Sequence, residues 1–161
     1  MISLFRLDDR LIHGQVVIGW GIKLNPDKYV IIDDDIEEWE SDLYLGCLEN
    51  ESQGQILTTA QAKERFKEWQ ESKDHIVILI KCTKTLKTLI EMGVHLPDIN
   101  VGGLHYLEGK KQYLKCMYLY DDECETLREL IKNNSITYQP LPSDIRVDLK
   151  NILSEQSQKA N

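Results

Sequence analysis

The segment RLDDRLIHGQVVIGW, Arg6 to Trp20, gathers two arginines, two aspartates, a histidine and a glycine within a few positions. An imidazole whose proton is held by a carboxylate keeps its other ring nitrogen free to act as a nucleophile. His13, with Asp8 or Asp9 as that carboxylate, has the composition such chemistry needs. Arg6 and Arg10 are forked cations suited to phosphate oxygens. Gly14 lets a backbone approach an anion closely, and the amides of Gln15 and Val16 would donate to it if a helix begins there. These residues define a candidate phosphate or anion site with His13 as its nucleophile. A solvated turn, with His13 satisfying a local hydrogen bond, would use the same residue types.

The elements that must carry this loop follow from apolar spacing. Met1–Arg6 reads as a strand, and Val16, Val17, Trp20 and Leu24 recur at helical spacing from Gly14 or Gln15 until Asn25-Pro26 ends the run. Tyr29–Asp33, Gln55–Thr58, His75–Ile80, the segment around INVGG, Tyr113–Tyr120 and SITYQPLP read as further strands. Helices are predicted over Ile36–Leu48 with Ile36, Trp39, Leu43 and Leu48 inward, and after Thr58 or Thr59 with Ala62, Phe66 and Trp69 in register. Others are predicted from Thr83 or Thr85 to Gly93, over Asp121–Asn134, and from about Val147. Trp20 and Trp39 are expected in the core, and Trp69, on a helix rich in Lys and Glu, at a partner or subunit surface. Alternating strands and helices predict an α/β fold, three-layer α/β/α with a mostly parallel central sheet, whose sites lie where strands end and helices begin. The Arg6–Gln15 segment occupies one such junction.

Composition narrows the function classes. A chain of 161 residues fits one domain, and 42% hydrophobic with 29% charged residues argues against extensive disorder. The formal charge of −8 repels nucleic acid and anionic lipid, so neither is an expected partner. Cys47, Cys82, Cys116 and Cys124 show no zinc-ligand spacing and read as reduced thiols. The N-terminus lacks a signal-peptide apolar region, and the apolar runs fall short of the ~20 residues of a membrane helix, which predicts a cytoplasmic protein. The end, 154–161, is a polar tail too poor in apolar residues to pack.

Other residues stand at strand ends. Asn100, Gly102 and Gly103 would shape a turn beside the active loop, with His105 close behind. Lys110-Lys111 follows a turn and reads as solvated. Asp33-Asp34-Asp35 resembles a metal site on paper, but consecutive side chains point different ways, so it reads as a cap and turn and no metal or cofactor is expected.

RLDDRLIHGQVVIGW is similar to the signature R-[IVL]-D-D-R-L-I-H-G-Q-V of the IIB component of the mannose/fructose/sorbose class of the bacterial phosphoenolpyruvate-dependent sugar phosphotransferase system. INVGGLHYLEGKKQ resembles that family's N-V-G-G-M-x-F-x-E-G-K-K-Q segment, and VIIDDDI and QPLPSDIRVDL fall where it has comparable stretches. The resemblance spans most of residues 1–153, read as a single IIB-like phosphocarrier domain. It implies that His13 accepts a phosphoryl group from a IIA protein and passes it to a sugar at the membrane components IIC and IID. Asp8, Asp9 and Arg10 would then belong to the phosphorylation loop, and the activity would be that of a protein-N(pi)-phosphohistidine–sugar phosphotransferase. The residues themselves leave open which ring nitrogen is used. His13 is expected to be exposed, since two partners must reach it in line. The family also implies a possible homo-oligomer, peripheral to the membrane through its partners.

The chain departs from the family after the strand His75–Ile80. Ile80-Lys81-Cys82-Thr83 replaces a usual Phe-(Thr/Ser)-(Asn/Asp)-Pro, and CLENESQGQ stands in place of a small-residue Ala-Pro stretch. Cys82 and Thr83 are expected to neighbour the His13 loop. Two other functions use the same site: a regulatory IIB protein phosphorylated on His13 outside transport, and a non-catalytic phosphate-binding module. The sugar would be selected largely by the membrane components.

Overall fold

The computed structural model describes residues 1–159. The chain opens with β1 (Ile2–Leu7), whose Leu4 and Arg6 face one side of the sheet and Phe5 and Leu7 the other. A loop leads into a π-helical turn, Gln15–Trp20, continued by α1 (Gly21–Leu24). The expected stop is made by Asn25, left-handed at φ 44°, a conformation asparagine tolerates. β2 (Lys28–Ile32), α2 (Glu38–Leu45), β3 (Gly54–Leu57), α3 (Thr59–Glu71), β4 (Ile76–Ile80) and α4 (Thr83–Glu91) follow. Thr58 caps α3 reciprocally: its Oγ1 accepts the Gln61 N–H at 3.2 Å and its own N–H reaches Gln61 Oε1 at 2.9 Å. After α4 come β5 (Ile99–Val101), β6 (Lys111–Leu114), β7 (Met117–Leu119), α5 (Asp121–Ile131), β8 (Ile136–Tyr138), β9 (Val147–Asp148) and α6 (Leu149–Lys159).

The main sheet runs β3-β2-β4-β1-β5-β8-β9, parallel except for β9. All five residues of β4 are buried, as a central strand covered on both faces requires. Phe66, Leu86, Leu127 and Leu153 bring α3 to α6 onto the face carrying Phe5, Leu7 and Ile78. Val16 and Trp20 pack on the opposite face against Leu4, Ile31 and Val77. β1 and β4 are therefore neighbours whose following helices depart to opposite faces. Such a switch point opens a crevice beyond the carboxyl ends of the two strands.

Three expectations are corrected. Tyr113–Tyr120 is not one strand but the antiparallel hairpin β6–β7, turning at Lys115-Cys116 and pinned where the Leu104 N–H meets the Cys116 carbonyl at 2.8 Å. Trp39 and Leu43 are 64% and 62% exposed, because α2 begins at Glu38 in a phase that turns Tyr44 and Leu45 inward; the Trp39 indole N–H donates to Glu37. Trp69 is core, its ring 5.8 Å from that of Phe66, since the Lys and Glu residues of α3 occupy its other face. The last helix runs through Lys159, and 160–161 lie outside the described residues.

Candidate functional site at the ends of β1, β4 and β5

Strand β1 delivers its last residues into the crevice, with the Asp8 N–H bonded to the Ile80 carbonyl at the end of β4 and the Gly102 N–H to the Leu7 carbonyl. Asp8 is fully buried and is the hub of the site. Its Oδ2 accepts from Arg6 Nη2 at 3.0 Å and Arg10 Nη2 at 3.2 Å, and lies 3.2 Å from His13 Nε2. Its Oδ1 accepts the Arg10 backbone N–H at 3.1 Å and Arg10 Nε at 3.2 Å. Burial alone would push this carboxyl up. The hydrogen bonds from His13 and Arg10 and the charge of Arg6 outweigh it and hold Asp8 well below the usual carboxylate range.

With an ionised carboxylate at Nε2, the His13 ring carries its proton there and Nδ1 is left with a lone pair. The Gln15 N–H points at that lone pair from 3.3 Å. The His13 side chain is 18% exposed, less than expected, because its Nε2 edge is turned inward onto Asp8. Gly14 is exposed, with open space where a Cβ would stand. The Val16 amide is not available to an anion as expected, since Val16 and Val17 both donate to the His13 carbonyl at 3.0 Å in the π-helical turn. Arg10 is about one-third exposed and its Nη2 also donates to Gln15 Oε1 at 2.9 Å, so it stands at the rim between Asp8 and solvent.

Arg6 sits behind Asp8, away from the rim of the crevice. It is fully buried, and its guanidinium donates to Asn100 Oδ1 at 2.6 Å and to the Gln139 and Pro140 carbonyls as well as to Asp8. Desolvation lowers its pKa, opposed by the charge and hydrogen bond of Asp8. Arg6 lies on an inward position of β1, where the ring of Trp20 and the strand ends of β5 and β8 surround it. Gly102 makes the room, for a Cβ there would overlap the Arg6 guanidinium. Gly102→Ala is therefore expected to displace Arg6 from Asp8 and lower the unfolding free energy by about 1–3 kcal/mol. Denaturant melts compared with the parent at neutral pH measure this.

Asp9 turns away from His13. Its Oδ1 lies 2.6 Å from His105 Nδ1, its Oδ2 accepts the His105 backbone N–H at 2.7 Å, and its own N–H reaches the Gly103 carbonyl at 3.0 Å. Gly103 packs against both Arg10 and His105. Cys82 and Thr83 begin α4 on the neighbouring strand end, with Cys82 Sγ 3.5 Å from Thr85 Oγ1, and no hydrogen bond among the described residues joins them to the His13 loop. Asp33 and Asp34 act as turn and cap: Asp33 Oδ1 accepts the Asp35 N–H and Asp34 Oδ1 the Thr59 N–H.

Leu11 escaped the sequence analysis. It is fully buried and left-handed at φ 54°, its N–H bonded to the Asp8 carbonyl. That turn brings Arg10 and His13 back over the same carboxylate. A leucine carries no sequence signal for a conformation usually left to Gly or Asn, and the burial of its side chain together with the bond to Asp8 holds it there.

Solved IIB proteins share this architecture. The IIB domain of the sorbose permease from Klebsiella pneumoniae superposes with a TM-score of 0.85 at 26% identity, covering 96% of this chain and 97% of that one. The chain belongs to the sorbose-subfamily IIB components of the PTS system, whose family profile matches residues 2–161. The N-acetylgalactosamine-specific phosphotransferase enzyme IIB component 1 of Escherichia coli K12 is 30% identical over 147 residues, 89% of this chain and 92% of its own length. The PTS fructose-specific EIIB component of Bacillus subtilis is 27% identical, over 94% of this chain and 95% of its own. Members of the family have a phosphotransferase role in PTS sugar transport and work with IIA and the membrane components IIC and IID. No helix among the described residues is long and apolar enough to cross a membrane.

Proposed function

We propose that residues 1–153 form a phosphocarrier domain in which His13 Nδ1 accepts a phosphoryl group from a IIA protein and passes it to a sugar held by IIC and IID. The observation that carries this reading is the ion-paired, buried Asp8 at Nε2, which leaves Nδ1 as the nucleophile facing the crevice. Nδ1 attacks phosphorus, the donor's bond to phosphorus breaks, and Asp8 stabilises the positive charge that builds on the ring. Arg10 swings from its place beside Gln15 to the phosphoryl oxygens, and the Gln15 N–H, already aimed at Nδ1, bonds one of them. Arg6 orients Asp8 from behind and touches no substrate. The return step forms the sugar oxygen–phosphorus bond as the P–N bond breaks, the hydroxyl proton passing to a base on the sugar-binding partner, and restores the lone pair.

Arg10 and backbone amide donors stabilise the transferred charge, and the reading uses no cofactor. It places the protein in the cytoplasm, where its phosphoryl donor is made, and at the membrane only through IIC and IID. The named relatives act on different sugars, and the proposal accordingly stops at the phosphoryl carrier. Phosphoenolpyruvate-driven labelling with enzyme I, the histidine phosphocarrier and a IIA of this class tests it. The expected product is one acid-labile phosphoryl group per chain; failure to label the folded protein with its native IIA would leave only a phosphate-binding module.

A further inference from the structure

The second histidine–carboxylate pair of the site is unused by the mechanism above. Asp9 grips the His105 residue twice, by the ring Nδ1 at 2.6 Å and by the backbone N–H at 2.7 Å, and its own N–H holds the Gly103 carbonyl. The ring is half exposed, and its Nε2 has no partner among the described residues. One hydrogen bond to the ring and two through the flanking backbone thus hold a half-exposed imidazole. That ring lies beside the site. A Cβ on Gly103 would be 3.1 Å from Arg10 Nη2 and 3.2 Å from His105 Cε1, so the two groups flank a single glycine. Arg10 Nη2 is in turn 3.2 Å from the Asp8 oxygen that His13 shares.

Resting on the phosphocarrier reading, we propose that His105 is a further catalytic residue: in its protonated form it donates an Nε2–H hydrogen bond to the phosphoryl group during transfer at His13. A phosphoryl group on His13 carries two negative charges at neutral pH, whereas Arg10 is the one arginine at the rim, Arg6 being committed to Asp8, Asn100 and two carbonyls. A ring whose Nδ1–H is held by a carboxylate gains an Nε2–H only on protonation. His105 keeps its proton throughout; the P–N bond to His13 forms as the donor's bond to phosphorus breaks. Charged groups beside the ring are Asp9 and Arg10 from the loop after β1, and Asp9 in turn lies within electrostatic reach of Tyr44, which also feels Lys81, Glu40 and Asp33.

The test follows the rate of label uptake from phosphorylated IIA by the parent, His105→Gln and Asp9→Asn, between about pH 5.5 and 8. His105→Gln is expected to take up label roughly tenfold more slowly at the acidic end and to lose the part of the parent's pH dependence that favours acid. Asp9→Asn, which keeps the ring but removes the carboxylate that fixes it, is expected to lose the same acid-favoured part of the rate. Equal rates for parent and His105→Gln, or a slower rate with a pH profile parallel to the parent's, overturn the role of His105 and leave His13 as phosphocarrier intact. A parent that takes up no label overturns both.

Discussion

His13→Ala is expected to abolish phosphoenolpyruvate-driven labelling while the protein stays folded. The two halves of this expectation come from different atoms. The label is lost because no other histidine presents a carboxylate-oriented ring at the start of a helix beside a partly exposed arginine; His105 is clamped by Asp9, and His75 bonds Ser3 at the opposite end of β1. The fold survives because Asp8 loses one partner of several, keeping Arg6, Arg10 and the Arg10 backbone N–H. Losing one partly exposed hydrogen bond costs about 1 kcal/mol. Autoradiography after labelling, with a denaturant melt of the same preparations, separates the outcomes. Residual acid-labile label on the variant would place the acceptor elsewhere.

Asp8→Asn has the opposite balance, a large loss of stability with a partial loss of function. The amide cannot neutralise Arg6, which is sealed behind it, and an uncompensated buried charge costs about 3–5 kcal/mol. Labelling slows as well, by about a hundredfold, since the ring charge that builds during attack loses its counter-ion. The pH dependence distinguishes this from simple misfolding. Asp8 titrates lower in the folded protein than in the unfolded chain, so its contribution is complete above the unfolded value near pH ~4 and fades as pH falls toward the folded one. The stability curves of parent and variant should converge as pH falls below about 4. A gap that stays constant from pH 7 into acid would mean that Asp8 is not held ionised by its arginines.

The loop's ingredients were legible because each obeys a local rule. His13, Asp8, Arg10 and Gln15 stand within a few residues at a strand-to-helix junction, and Val16 and Trp20 announce the helix behind them. The order of β1, β4 and β5 was not legible, and with it went the roles decided by tertiary neighbours. Arg6 and Arg10 look alike in sequence; only the neighbouring strand ends, with Asn100 and the carbonyls of Gln139 and Pro140, make one a buried brace and leave the other at the rim. Asp8 and Asp9 are adjacent and point to different histidines because successive residues leave a strand end in opposite directions. The Trp39 expectation failed through phase: apolar residues near Leu43 fit a helix of either register, and the Glu37–Glu40 cap selected the one that exposes the indole.

The most direct measurement is nitrogen-15-resolved phosphorus NMR of the phosphorylated protein carrying labelled histidine. The geometry predicts coupling of phosphorus to Nδ1 of His13, with the proton retained on Nε2 against Asp8. Phosphorus bonded to Nε2, or to any other side chain, would contradict it.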